Sequence, residues 1–264
     1  MSLRGAPFMY VFLETTGLQL ERFFWEYAIG LPVLETEPHL PHHRHGAVKY
    51  DAVNMILSLN WNRSSVSTPD SSDALITVFQ GNPRTANWSD HPCIASVGKH
   101  GLVTDVHGHH FVFSRRRGAE GSPLSVPKLR LMAADLPGSV AFYRDILGLE
   151  LQAQTETTAS FATGTVTLTI EENKTAPDGR RPRYDTYLLV FYTPQVESAR
   201  DALMERGLAF KSPRVAHSEI GYTARFEDPS GHRFCLYDPS QECLSWRSGP
   251  KVMEIMERSV VAQK

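Results

Sequence analysis

Two short stretches of this 264-residue chain set a carboxylate, a glycine and an imidazole at one spacing, "VTDVHGHHF" and "FEDPSGHRF". Laid on each other, Asp105, Gly108, His109 and Phe111 match Asp228, Gly231, His232 and Phe234. Aspartate and histidine so close together are groups that can pass a proton or grip a divalent cation. The glycine and the strand-like residues that follow point elsewhere, to a tight hairpin turn with glycine at positive φ. His109 and His232 are therefore read as turn residues. Four more histidines stand in "HLPHHRHG" (39–46); they have the ligand type for a soft cation but no carboxylate beside them, and read as a solvated loop. Cys93, Cys235 and Cys243 show no CxxC spacing, which argues against a zinc ribbon and suits a reducing, cytoplasmic setting.

The elements that carry these turns are also duplicated. "RFFWEYAIGLPVLETE" (22–37) and "AFYRDILGLELQAQTE" (141–156) share Phe24/Phe142, Gly30/Gly148 and Leu31/Leu149. Each reads as a short amphipathic helix ended by glycine and followed by a strand. The chain is thus expected to hold two similar domains, 6–114 and 127–240, with a Gly/Ser/Pro-rich linker at 115–126 and a tail at 241–264 carrying a short helix. Each half divides again into two βαβββ units. The second unit is degenerate, since "NPRTANWSD" is too short and broken for a helix.

Composition narrows the partners. A net charge of −2, with 41% hydrophobic and 21% charged residues, fits a globular protein and gives no reason to expect nucleic acid. No apolar run approaches the roughly 18 residues of a membrane span. A small-molecule ligand and a monomer or homodimer remain.

Four βαβββ units, with "AFYRDILGLEL" after a first strand and "DPSGHRFCLY" at the last hairpin, resemble the vicinal oxygen chelate superfamily. That group holds glyoxalases, extradiol dioxygenases, methylmalonyl-CoA epimerases and bleomycin- or fosfomycin-resistance proteins. The resemblance implies an α+β fold in which the units pair into two glyoxalase-like domains with cup-shaped mixed sheets and a substrate in the cup. It also implies a divalent metal (Fe, Mn, Ni or Zn) held by histidine and glutamate on the first and last strands of each unit. Carried over by position, those ligands fall on Lys128, Thr169 (or Thr167), Thr186 and Cys235 in the C-terminal half. In the N-terminal half they fall on Tyr10, Ser58 (or Ile56), Ala74 and Val112. None is histidine or carboxylate, and a protonated lysine repels a cation, so no metal and no other cofactor is expected.

Strand parity gives the expected lining. Lys128 brings Arg130 and Met132, Cys235 brings Arg233 and Tyr237, and Thr186 brings Leu188, Val190 and Tyr192. Lys128, Arg130, Thr186, Tyr192, Arg233, Cys235 and Tyr237 are the expected substrate-binding set, a cationic seat beside aromatic rings for an anionic or oxygen-rich organic molecule. The other reading lets Lys128 and Arg130 pair with Glu171 and further surface acids at the rim. Cys235 and Lys128 are the candidate catalytic groups, because a thiol beside Lys128 and Arg233 would ionise more easily. No histidine can be assigned to Cys235 as a base, which favours an inert core thiol. The expected function is metal-free binding of a small molecule. One alternative is a metal-dependent lyase, isomerase or extradiol-type dioxygenase whose ligands lie elsewhere. Others are a metal-independent catalyst using Lys128, Arg130 or Cys235, and a partner-binding role for the degenerate unit.

Overall fold

The computed structural model describes residues 2–36, 46–61, 75–85, 87–114, 123–174 and 187–262. The histidine loop's four imidazoles, Ala74, Thr186 and most of the linker lie outside the described residues. Unit one runs β1 (Phe8–Thr15), α1 (Leu18–Phe23, continued by a π turn over Phe24–Ile29), β2 (Val33–Thr36), β3 (Ala47–Asp51) and β4 (Ile56–Trp61). Unit two runs β5 (Ile76–Gln80), β6 (Ile94–Val97), β7 (Leu102–Asp105) and β8 (His110–Ser114), with a single 3-10 turn (Trp88–Asp90) where the other units have a helix. Unit three runs β9 (Ser125–Ala133), α2 (Leu136–Ala141, continued by a π turn over Phe142–Ile146), β10 (Glu150–Gln154), β11 (Thr158–Ala162) and β12 (Thr167–Glu172). Unit four runs β13 (Tyr187–Tyr192), α3 (Val196–Glu205), β14 (Ala216–Ser218), β15 (Gly221–Glu227) and β16 (Arg233–Pro239). The tail forms α4 (Gln241–Ser245) and α5 (Gly249–Ala262).

Local chemistry accounts for these boundaries. Asp135 caps α2, its Oδ1 accepting the Gly138 N–H at 3.0 Å. The first helical segment ends at Gly30, whose φ of 89° only glycine adopts cheaply. Along β9, Leu129, Leu131 and Ala133 are fully buried, while Lys128, Arg130 and Met132 on the opposite face are half-buried.

The sheets correct the expected pairing of units. One eight-stranded sheet has the order β14-β15-β16-β13-β1-β4-β3-β2 and the other β10-β11-β12-β9-β5-β8-β7-β6. Unit one is thus joined to unit four through antiparallel β1–β13, and unit two to unit three through antiparallel β5–β9. Both sheets cross the linker, so neither cup belongs to one sequential half. The physical reason is that each unit leaves its first strand as an unpaired edge. Any two such edges satisfy each other's backbone groups, and hydrophobic periodicity carries no preference among them.

The halves keep their identity in the core instead. Trp25, from the first helical segment, packs edge-on against Phe111 of unit two, ring centroids 4.8 Å apart. Tyr143, beside α2, meets Phe161 of its own sheet and Phe234 of the other. One continuous hydrophobic cluster, running from Leu3 to Leu236, takes side chains from both sheets and these helices.

Candidate functional site

The two aspartate–histidine turns are built as hairpin ends, as their sequence suggests. Gly108 and Gly231 have φ of 81° and 88°. Asp105 Oδ1 accepts the backbone N–H of His107 and His109, each at 2.8 Å. Asp228 Oδ1 accepts those of Ser230 and His232 at 3.0 and 2.7 Å. His232 Nε2 donates to the Met132 carbonyl at 2.8 Å, which leaves Nδ1 to accept from the Tyr187 hydroxyl. His232 therefore pins unit four to unit three and faces neither cup.

The expected binding residues separate into two groups. Lys128 and Arg130 stand on β9 in the sheet of units two and three, whereas Tyr192, Arg233, Cys235 and Tyr237 stand on β13 and β16 in the sheet of units one and four. They do not share a cup, and the single seven-residue site is corrected accordingly. Arg130 makes a bidentate pair with Glu171 on β12, at 2.5 and 2.6 Å. That bond raises the guanidinium pKa, outweighing the partial burial that alone would lower it. Thr186 lies outside the described residues.

The cup of units one and four holds a cavity of ≈ 270 Å³, just below the range usual for organic ligands (about 300–1,000 Å³). Tyr10, Phe12, Leu188, Val190 and Tyr237 form an apolar floor, Lys49, Arg225 and Arg233 supply cations, and Glu14 and Asn60 complete the polar lining. Lys49 bonds Glu35 at 3.1 Å and lies 4.9 Å from the centre of the Trp246 ring. Trp246 and Cys243 come from the tail. Of the lining, parity found Leu188, Val190, Arg233, Cys235 and Tyr237; Lys49, Arg225 and Trp246 were missed. Alternation along "GYTARFE" could have placed Arg225, but nothing in the sequence brings the tail to the cup.

The tail roofs one side of this cup. Val252 and Ile255 of α5 are fully buried in a second apolar cluster with Met9, Tyr10, Ile56, Val190, Cys235 and Tyr237. Lys251 anchors the helix, donating to the Val53 carbonyl at 2.5 Å and pairing with Asp51 at 3.0 Å. Ser248 donates to Glu35 at 2.5 Å. Gly249 is required by contact: a Cβ there would sit 1.9 Å from the Leu244 carbonyl oxygen.

Cys235 is not the activated thiol that Lys128 would have made it. Its charged neighbour is Arg225, and burial outweighs that charge, pushing the thiol up to about 11. Burial and then Tyr10 hold Tyr237 protonated; its hydroxyl donates to the Ile220 carbonyl at 2.8 Å. Neither cup places a histidine or a carboxylate at the described positions where the superfamily's ligands would fall. Tyr10, Ser58 and Cys235 occupy them in one, and Lys128, Thr169 and Val112 in the other.

Residues 125–236 match the family model "Glyoxalase/Bleomycin resistance protein/Dioxygenase superfamily". No curated protein sequence matches the chain. Among solved structures, glyoxalase I from Zea mays superposes with a TM-score of 0.68 at 16% identity, over 97% of this chain and 96% of that one. A Bacillus subtilis protein provisionally described as a dioxygenase gives 0.67 at 12% identity, over 97% and 96%. These likenesses show the fold.

Proposed function

We propose that this chain, whose residues 125–236 match the glyoxalase/bleomycin resistance protein/dioxygenase superfamily model, holds a small anionic or oxygen-rich organic molecule in the cup of units one and four. The ligand's charged end faces Arg225 and Arg233, and its apolar body lies on Tyr10, Phe12 and Tyr237. The observation that carries this reading is an aromatic cavity, roofed on one side by the tail, with three cations and one carboxylate in its wall. Binding proceeds without a metal at the superfamily's usual position, because tyrosine, serine and a single thiol do not make up the histidine and carboxylate set that holds one there. The expected setting is cytoplasmic, which suits three cysteines that are all buried. No described helix is long and apolar enough to cross a membrane.

The test is a thermal-shift screen of aromatic carboxylates and phenolates, followed by titration of the hits. Arg233→Ala should weaken binding by roughly ten- to a hundredfold, the worth of one charge-assisted contact. Arg130→Ala, on the other sheet, should leave affinity unchanged. The opposite pattern would move the site to the cup of units two and three. Turnover that depends on added Fe, Mn, Ni or Zn, with the metal bound at cup residues, would restore the metal-dependent lyase, isomerase or dioxygenase.

A further inference from the structure

A second group of chemically able side chains lies outside both cups, on the core side of units one and two. Glu21 stands on the apolar face of α1, in register with Leu18 and Trp25, and is fully buried. Facing it are Cys93, just before β6, and Asp105, at the end of β7, at 0% and 1% exposure. One ligand atom from each of the three lies within 4.8 Å of the others.

Two buried atoms in this group lack partners. Glu21 Oε2 accepts from Trp25 Nε1 at 3.0 Å, but its Oε1 accepts no hydrogen bond. His107 Nε2 is 3.5 Å from that oxygen and is likewise unsatisfied. Buried polar groups are seldom left unpaired, so two of them converging on one point ask for an occupant. Meanwhile Asp105 is oriented from outside the group: His109 Nδ1 bonds its Oδ2 at 2.7 Å, while two backbone N–H groups hold Oδ1. An outer imidazole and an indole that fix the carboxylates are the kind of support a metal's ligands receive.

We infer that Glu21, Cys93, Asp105 and His107 form a closed structural site for one borderline divalent cation such as Zn2+. One sulfur, one nitrogen and carboxylate oxygens from four side chains suit that ion better than Mg2+ or Ca2+, which take oxygen alone. Four protein ligands, three of them fully buried, leave no open coordination position, which makes the site structural and not catalytic. It would tie α1 of unit one to the hairpin of unit two, the unit without a helix of its own. On binding, the Cys93 thiol gives its proton to solvent and its sulfur bonds the ion. The C-terminal turn has no such site. There Ser139 stands where the repeat places Glu21, and the Tyr143 hydroxyl donates directly to Asp228 at 2.7 Å.

The experiment uses the full chain, purified without a histidine tag, stripped with chelator and titrated with Co2+ and Zn2+. One equivalent of Co2+ should bind with a thiolate-to-cobalt charge-transfer band in the near ultraviolet. Zn2+ should raise the melting temperature. Cys93→Ser should abolish the band, and Glu21→Gln should weaken the metal by roughly tenfold or more. Replacing His42 and His43 with alanine should change neither. A folded wild-type chain that binds no Co2+ would overturn the site and assign the gap to a protonated Glu21 that donates to His107. Metal that survives Cys93→Ser and Glu21→Gln but is lost with the histidine-loop variant would also overturn it.

Discussion

The two sheets share one strand order and differ in what covers their inner faces. In the sheet of units one and four, Tyr10, Ile56, Ser58, Val190, Cys235 and Tyr237 are all buried, because α5 lies over them. In the sheet of units two and three, the corresponding face carries Lys128, Arg130, Met132 and Glu171, each half-buried, with the Arg130–Glu171 pair across it. Two copies of one frame have thus separated in role. One keeps a cavity that the tail partly covers; the other carries an arginine–glutamate pair on a half-buried face. The cover, more than the strand residues, distinguishes them.

Loosening the cover should have the largest effect. Ile255→Ala removes a fully buried side chain from the roofed cluster and should cost about 2–4 kcal/mol, read by urea unfolding. It should also weaken ligand binding, since Trp246 and Cys243 reach the cavity through the same tail. Equal loss of stability with unchanged affinity would separate the tail from the site.

The opposite sheet should respond weakly. The Arg130–Glu171 side chains are 29% and 22% exposed, so Arg130→Ala should cost about 1 kcal/mol or less and depend on salt. A loss of several kcal/mol would show that this pair organises its sheet as firmly as the tail organises the other. The smallest effect is expected at Cys235. Buried, and with its thiol pushed up to about 11, it should resist iodoacetamide at neutral pH until the protein is unfolded. Rapid alkylation of the folded chain at that residue would return Cys235 to the list of catalytic candidates.

Much of this fold is written locally. The helical segments of units one and three carry their aromatics and terminal glycine, and the last hairpins of units two and four carry an Asp-x-x-Gly-His turn, so units and order can be read without coordinates. The partner of each first strand cannot be read, because β1, β5, β9 and β13 present equivalent edges and the choice is made by packing across the whole chain. That one ambiguity misplaced Lys128 and Arg130 beside Tyr192, Cys235 and Tyr237. Parity still placed Arg233, Cys235 and Tyr237 on one face, because alternation holds within a strand whatever its neighbour. Glu21 left a trace as well. It interrupts the apolar face that Leu18, Trp25 and Ala28 otherwise make, a polar residue at a core position whose partners are distant in sequence.

Hydrogen exchange of the chain with and without a hit from the ligand screen tests the central claim most directly. If the roofed cup is the binding site, protection should rise over residues 221–239 and along the tail at 241–258, while 125–133 and 167–172 exchange as before. Protection confined to 125–133 and 167–172 would contradict the account and place the ligand between Lys128 and the Arg130–Glu171 pair.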